Sequence, residues 1–476
     1  MHTSGNDIKA LEKLFSDTFN IVPENIAALP QSGGNRRYYR LSAPSVGSVI
    51  GVCGDDLREN RAFIYLDTVL SESGVAVPRL LARSDDMRYY LQEDLGDTSL
   101  FSLLGSPEGD RFMEEAIRAL PAIQTCAAID WGEKSLQAPF SGRGVIADLN
   151  YFKYCFLKPC GVDFDEDRLQ DDFERLCKDI ESATSHLEGF MYRDCQSRNI
   201  IICDGKVRWI DFQGGRRGPL IYDIVSMLWQ AKAGLSDERR SQLLDIYFDA
   251  LAGLRHYPAE RRDRDVPLFA LLRTLQVLGA YGFRGLVEHR AHFVTSIPAA
   301  LGNLSALLDK GAADSYPTLR EVLEALCMKK EIFATNNKGD RKLHVEVFSF
   351  SYKKGYPADY SGNGGGFMFD CRALHNPGRY DRYKPLTGMD QEVIDFLGER
   401  GEVQPFLASV AALTDSAVER YVNRGFTHLQ IGFGCTGGRH RSVYCAEHTA
   451  AHLHDLFGDR IHITLRHREQ HITKEL

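Results

Sequence analysis

At 476 residues the chain is too long for one ordinary core and is expected to form about three structural units. Its 43% hydrophobic and 26% charged residues exclude the disordered and fibrous classes, and a net charge of −8 argues against a diffuse cationic mode of binding nucleic acid or anionic membrane. The eleven cysteines are scattered and form no CxxC pair, which points to reduced thiols in a cytoplasm and away from zinc or redox sites.

Residues 1–19 have the spacing of an amphipathic helix without an apolar leader, and no stretch approaches 18 uncharged apolar residues, so no membrane span is expected. Gln31-Ser32-Gly33-Gly34-Asn35-Arg36-Arg37-Tyr38-Tyr39-Arg40-Leu41 reads as a glycine turn entering a strand, with Val49-Ile50-Gly51-Val52 as its return. A turn at Gly33 and Gly34 lets backbone approach a ligand closely, as a nucleotide-covering loop must; a plain hairpin turn is the alternative. Residues 56–70 form a helix carrying Glu59, and Arg88-Tyr89-Tyr90-Leu91-Gln92-Glu93-Asp94-Leu95-Gly96 a strand ending in a polar hinge. Helical spacing marks 110–125, 144–160 and 171–187.

Tyr192-Arg193-Asp194-Cys195-Gln196-Ser197-Arg198-Asn199 is followed by an apolar run, the Asp204-Gly205 hairpin signal and a return strand that brings Asp211 beside Asn199. Phosphoryl transfer needs these groups: Asp194 to orient or deprotonate a substrate hydroxyl, Asn199 and Asp211 to hold Mg²⁺ on nucleotide phosphates. Each alone is more often a cap, a turn former or a helix start; their spacing makes them a site. Asp223, on an apolar helical run, needs a partner, either the 192–199 loop or its own helix N-terminus. Helical spacing continues to 329, and 329–342, with Asn336, Asn337 and Gly339, has the composition of a linker.

On these motifs residues 8–328 resemble the aminoglycoside phosphotransferase and choline kinase family. The resemblance implies an α+β bilobal protein-kinase-like fold, with an N-lobe at 1–96 and a helical C-lobe at 97–328. Arg36-Arg37-Tyr38-Tyr39-Arg40, Gln92-Glu93-Asp94-Leu95-Gly96 and Asp148-Leu149-Asn150-Tyr151-Phe152 are most similar to bacterial kinases acting on the anomeric hydroxyl of N-acetylated amino sugars. ATP and Mg²⁺ would be the cofactors, with Gly33, Gly34, Glu93 and Leu95 at the nucleotide. A sugar acceptor would sit between Asp194 and the 148–158 helix, bound by Asp148, Asn150 and Lys153. One departure is large: Ile50-Gly51-Val52-Cys53, on the third strand, lacks the lysine that steadies the phosphates. Either Arg37 or Arg40 substitutes, since a guanidinium binds phosphate oxygens in a fork, or the domain is a weak enzyme.

Ten of the fifteen histidines lie after residue 342, which marks 343–476 as a separate α/β domain. A strand over 427–433 feeds Gly434-Cys435-Thr436-Gly437-Gly438-Arg439-His440-Arg441-Ser442 and a helix over 443–456. Strand, glycine loop and helix start form an anion cradle for a phosphate or phosphosugar, with Cys435, Thr436, Gly437, Gly438, Arg439, His440, Arg441 and Ser442 as its residues. The Cys435-to-Arg441 spacing also fits cysteine-dependent phosphatases, for which Asp370 and Asp390 are general-acid candidates by position alone. The glycine loop, with Ser349-Phe350-Ser351-Tyr352-Lys353-Lys354-Gly355, Phe369-Asp370-Cys371-Arg372-Ala373-Leu374-His375-Asn376-Pro377 and Leu386-Thr387-Gly388-Met389-Asp390, resembles the C-terminal domain of the RapZ family. That implies RNA as a partner and a phosphorylated amino sugar as a sensed ligand. The family's P-loop domain is missing from this sequence. RNA binding would need Lys353, Lys354, Arg379, Arg382, Lys384, Arg466 and Arg468 to gather on one face, because 15 Lys plus Arg stand against 16 Asp plus Glu after 342.

Three functions follow from these features. The first is an amino-sugar kinase with a phosphosugar-binding regulatory domain, cytoplasmic and without membrane partners. The others are an RNA-binding regulator whose kinase-like domain senses nucleotide, and a kinase joined to a phosphatase.

Overall fold

Alternation of apolar and polar residues gives the N-terminal part its sheet, and the apolar face of its first helix covers one side. The computed structural model describes residues 4–30, 36–185, 187–288, 290–330, 333, 342–357, 359, 365–424 and 426–476. They fall into two compact units: Met1–Tyr151, Asp163–Val277 and Ala299–Cys327 in one, Phe152–Val162, Leu278–Pro298 and Met328–Leu476 in the other. Most of the expected linker, and the turn at Gly33 and Gly34, lie outside the described residues.

In the first unit α1 (Ser4–Phe19) precedes β1 (Asn25–Ala28), β2 (Arg37–Ala43), β3 (Gly47–Cys53), α2 (Leu57–Glu72), β4 (Leu80–Arg83) and β5 (Tyr89–Glu93). The strands form an antiparallel sheet in the order β1-β2-β3-β5-β4. Leu11 and Phe15 of α1 pack on Tyr39, Leu41, Val49 and Leu91. Gly51 belongs to this packing: a Cβ there would stand 2.6 Å from Leu41 Cδ1. Asp56 caps α2 by accepting from the Arg58 and Glu59 N–H groups. Phe63 of α2 stacks on Tyr90 and on Phe212 at 4.9 and 5.2 Å.

After a single helical turn at Leu100–Leu103 come α3 (Pro107–Gln124), α4 (Gly142–Phe152) and α5 (Glu166–Thr184). α3 begins earlier than its apolar spacing suggests because Ser106 accepts from the Gly109 N–H and Pro107 suits the first turn. β6 (Glu188–Met191) pairs with β9 (Arg216–Pro219), and β7 (Ile200–Cys203) with β8 (Lys206–Trp209). The β7–β8 turn puts Asp204 and Gly205 at φ 51° and 70°, as Asp-Gly hairpins require. Every residue of α6 (Ile221–Leu228) is buried. One helical stretch, Ala259–Val287, is long and apolar enough to cross a membrane, and 61% of its apolar window is buried in the fold.

In the second unit β10 (Leu343–Ser351), β11 (Gly366–Asp370), α7 (Gln391–Glu399), α8 (Val403–Arg424), β12 (His428–Cys435), α9 (Arg441–Phe457), β13 (Ile461–His467) and β14 (Ile472–Glu475) build a sheet ordered β11-β12-β10-β13-β14. All neighbours run parallel except β14. Val345, Val347, Ile431, Phe433, Ile463 and Leu465 share a core with Ala446, Ala450 and Leu453 of α9. Gly388 meets the start of α9: its N–H donates to the Arg439 carbonyl, and a Cβ would lie 2.2 Å from the His440 carbonyl oxygen and 2.5 Å from the Tyr444 nitrogen. Both are backbone atoms, so neither can swing aside. Gly388→Ala is therefore expected to destabilise this unit by about 2 kcal/mol or more, while Gly437→Ala, facing open space, changes stability by about 0.5 kcal/mol at most; scanning calorimetry of the full chain checks the contrast.

Candidate functional site

The loop after β6 is shaped by one buried carboxylate. Asp223, in the first turn of α6, accepts from the Tyr192 N–H at 2.7 Å, the Arg193 N–H at 3.0 Å and the Gln124 amide at 3.0 Å. Burial raises its carboxyl to about 7 against the pull of these donors. Of the two partners the sequence allowed, the loop is the one it binds. Arg193 is thereby held at φ 76°, a backbone conformation side chains rarely adopt. Further along, Gln230 accepts from the Ser197 N–H and hydroxyl at 3.1 and 2.7 Å. Asp194, next after Arg193, is exposed.

Asn199 ties the loop to Asp211. Its amide donates to the Asp194 carbonyl at 2.9 Å and to Asp211 Oδ2 at 3.3 Å. Asp211 has φ 68°, and its other oxygen accepts from Gln213 at 2.7 Å. Asp194, Asn199 and Asp211 thus stand together, with left-handed backbone at Asp211 and at Arg193, the residue before Asp194. Among the described residues no cluster of three or more His, Cys, Asp or Glu could hold a metal by itself. A Mg²⁺ shared with nucleotide phosphates needs only one or two protein oxygens, and the Asp211 carboxylate and Asn199 amide supply donors of that hard kind.

The cation beside Asp211 is Arg36. Its Nη2 lies 3.0 Å from Glu59 Oε1 and 3.4 Å from Asp211 Oδ1, and the residue is 8% exposed. Arg37 and Arg40, the expected substitutes for the third-strand lysine, point elsewhere. Arg37 pairs with Asp7 at 2.7 Å and Asp55 at 3.2 Å on the side of α1, and Arg40 with Asp94 at 2.7 Å and Asp97 at 2.9 Å. At the hinge, Glu93 turns its carboxylate to Arg208 at 2.7 Å, and Leu95 is buried.

On the acceptor side Asp148 does not stand free. It pairs with Arg193 at 3.2 Å and accepts from Gln276 at 3.0 Å, while Gln276 Oε1 accepts from the Tyr222 hydroxyl at 2.5 Å and from Arg273 at 2.8 Å. Asn150 is half-buried in the same unit. Lys153 belongs to the other unit, buried, with its ammonium 4.9 Å from the Tyr154 ring centroid. Arg193, Tyr222, Arg273 and Gln276 are additions to the sequence reading. Arg193 lay inside the motif, and the others could be found only through the fold.

In the C-terminal unit the glycine loop joins β12 to α9 as expected, but Cys435, Arg441 and Ser442 are buried, while Thr436 and Arg439 are exposed. Cys435, 2% exposed, accepts from the Gly438 N–H at 3.2 Å and sits 3.1 Å from the Ser442 hydroxyl. Burial pushes its thiol up, but the Ser442 hydroxyl, the Ser442 and Arg439 N–H groups and the Arg441 charge together hold it below the ordinary thiol value. Arg441 Nη1 donates to the Arg372 and Leu374 carbonyls, both at 2.9 Å, Arg439 to those of Leu386 and Pro385, and His440 to that of Tyr383. The Thr436 carbonyl accepts from Ser351. Asp370 is paired with Arg372 at 2.7 Å, and Asp390 accepts from the Thr387 N–H at 2.6 Å. Ser349, His467 and Glu447 form a hydrogen-bonded chain of 2.9 and 3.0 Å, but Ser349 and His467 are fully buried, so the chain braces the sheet.

Residues 34–261 match the model of a phosphotransferase enzyme family, and residues 343–471 that of the RapZ C-terminal domain. The chain is 38% identical over 130 residues to a nucleotide-binding protein of Shewanella halifaxensis, covering 27% of this chain and 43% of that one. It is 36% identical over 129 residues to a nucleotide-binding protein of Thermosipho melanesiensis, covering 27% and 43%. The chain thus spans less than half the length of these curated relatives. Among solved structures it is similar to the choline kinase LicA from Streptococcus pneumoniae, with a TM-score of 0.46, 11% identity and coverage of 64% of this chain and 100% of that one. It is also similar to a thermostable mutant of the aminoglycoside phosphotransferase APH(4)-Ia, with a TM-score of 0.42, 16% identity and coverage of 63% and 99%.

Removing the buried carboxylate strands two backbone N–H groups and an amide. Asp223→Ala is expected to lower the unfolding free energy by about 3 kcal/mol, and the exposed helix residue Asp249→Ala by about 0.5 kcal/mol at most. Urea unfolding followed by tryptophan fluorescence measures both.

Proposed function

We propose that the chain, which joins a phosphotransferase-family domain at 34–261 to a RapZ C-terminal domain at 343–471, moves the γ-phosphoryl group of ATP to a small hydroxylated acceptor. An N-acetylated amino sugar, phosphorylated at its anomeric hydroxyl in the cytoplasm, is the acceptor we favour. The observation that carries this reading is the exposed Asp194 in a loop whose backbone is locked by Asp223, with Asn199 joining it to Asp211.

Mg²⁺ bound with the nucleotide would neutralise charge on the phosphates, and Asp211 and Asn199 would hold it. Asp194 accepts the proton of the acceptor hydroxyl as its oxygen bonds to phosphorus and the bond to the ADP oxygen breaks. No hydrogen bond holds the Asp194 carboxylate among the described residues, so it is free for that proton. Arg36, fixed by Glu59 at the mouth of the same site, takes the place of the absent lysine on the phosphate oxygens. Asp148 acts through Arg193 as a positioning residue. In the C-terminal domain the glycine loop serves as a phosphosugar or phosphate site through its backbone N–H groups. The covered Cys435 and the inward Arg441 lend no support to phosphatase turnover.

A second reading takes support from the name that curated relatives carry, nucleotide-binding protein: an RNA-binding regulator whose kinase-like domain senses nucleotide without turnover. Purified full chain with Mg²⁺-ATP, offered N-acetylglucosamine, N-acetylmuramate, other hexoses and aminoglycosides, separates the two. Sugar-dependent ADP release that falls at least about 100-fold in Asp194→Ala is the expected result. ATP binding without ADP release on any acceptor would favour the sensor.

A further inference from the structure

The acceptor side of Asp194 holds one cation that no carboxylate pairs with among the described residues. Arg193 is paired with Asp148, and Arg273 donates to the Ser226 hydroxyl and to Gln276. Arg216 opens β9, where it lies opposite Met191, the residue that leads into Tyr192, Arg193 and Asp194. Its Nε is buried without a hydrogen-bond partner, and among the described residues no carboxylate pairs with its guanidinium. Burial and then the like charge of Arg193 lower its pKa, against Tyr222, Asp148 and Asp194, which places it in the field of both acids.

Beside Asp148 and Asp194 stand two guanidiniums, Arg193 and Arg216; Asp148 is paired with Arg193 and not with Arg216. With Nε buried and unpaired and the terminal nitrogens still reaching solvent, this guanidinium is well matched to a carboxylate or phosphate, which such a group grips through two parallel N–H bonds. An ammonium-bearing acceptor would meet like charge here. A neutral one would leave Arg216 unpaired.

We propose that Arg216 determines acceptor specificity by binding an anionic group, a carboxylate or a phosphate, on the same molecule whose hydroxyl Asp194 deprotonates. The inference rests on the kinase reading and narrows its acceptor to an acidic sugar or polyol.

Matched acceptors differing by one anionic group test it: glucose against glucuronate, galactose against galacturonate, glucose against glucose 6-phosphate. With the full chain and Mg²⁺-ATP, the anionic member of a pair is expected to show at least about tenfold higher kcat/KM, the uronate and phosphate arms identifying which anion is meant. Arg216→Met should raise KM for the anionic acceptor and remove the preference while KM for ATP stays constant, and Arg216→Lys should keep part of it. Equal use of both members by the unmodified protein, or equal losses on both in Arg216→Met, would overturn the proposal. Calorimetric titration of each sugar in the presence of Mg²⁺ and a non-hydrolysable ATP analogue separates the two layers. Arg216-dependent binding of an anionic sugar without any turnover would remove the kinase reading and keep the anion site. Turnover without anion preference would do the reverse, and neither signal would remove both. Equal unfolding midpoints for the unmodified protein, Arg216→Met and Arg216→Lys establish that the comparison is between folded proteins.

Discussion

The carboxylate of Asp223 fixes what the rest of the site uses. Two consecutive backbone N–H groups point at it from Tyr192 and Arg193, which turns the chain through a left-handed residue and leaves Asp194 facing outward. Such a turn is strained at an arginine, and it persists because the surroundings over-determine it. The strain sits one residue before the exposed Asp194 carboxylate, on a rigid support, with α6 buried along its whole length.

From that anchor two links run outward. Asn199 carries the geometry to Asp211, and Asp211 carries it to Arg36 and so to Glu59 of α2. The third strand carries no lysine, and the cation that stands beside Asp211 is Arg36, the residue just before the second strand. Glycine stands at position 51 for a separate reason, the close packing of Leu41 beneath α1. A cation fixed between two carboxylates is also preorganised for phosphate, since little side-chain freedom remains to be lost on binding.

Much of this was legible in the sequence where the signal is local. The Asp194, Asn199 and Asp211 spacing, the Asp204-Gly205 turn and the glycine loop after β12 are each written in a few adjacent residues, and the structure brings each set together. What failed to show depends on distant partners. Three arginines lie within five positions, and strand alternation sends Arg37 toward α1 and away from Arg36. Arg40 shares the parity of Arg36 but is taken by Asp94 and Asp97, acids that only the sheet brings near. The Cys435-to-Arg441 spacing suggested an anion-gripping arginine, whereas the Arg372 and Leu374 carbonyls capture it. The partners of Asp148, Arg193 and Gln276, are likewise brought to it only by the fold. The short strand β11 escaped notice because its glycine-flanked run gives little alternation.

The central claim is that a nucleotide's phosphates meet Arg36 and a metal held by Asp211. Calorimetric titration of a non-hydrolysable ATP analogue into the full chain, with and without Mg²⁺, tests it most directly. The account requires Mg²⁺-dependent binding that Asp211→Ala abolishes, that Arg36→Met weakens at least about tenfold, and that Arg40→Met leaves nearly unchanged. Binding that ignores Mg²⁺, or that follows Arg40 and not Arg36, would contradict it.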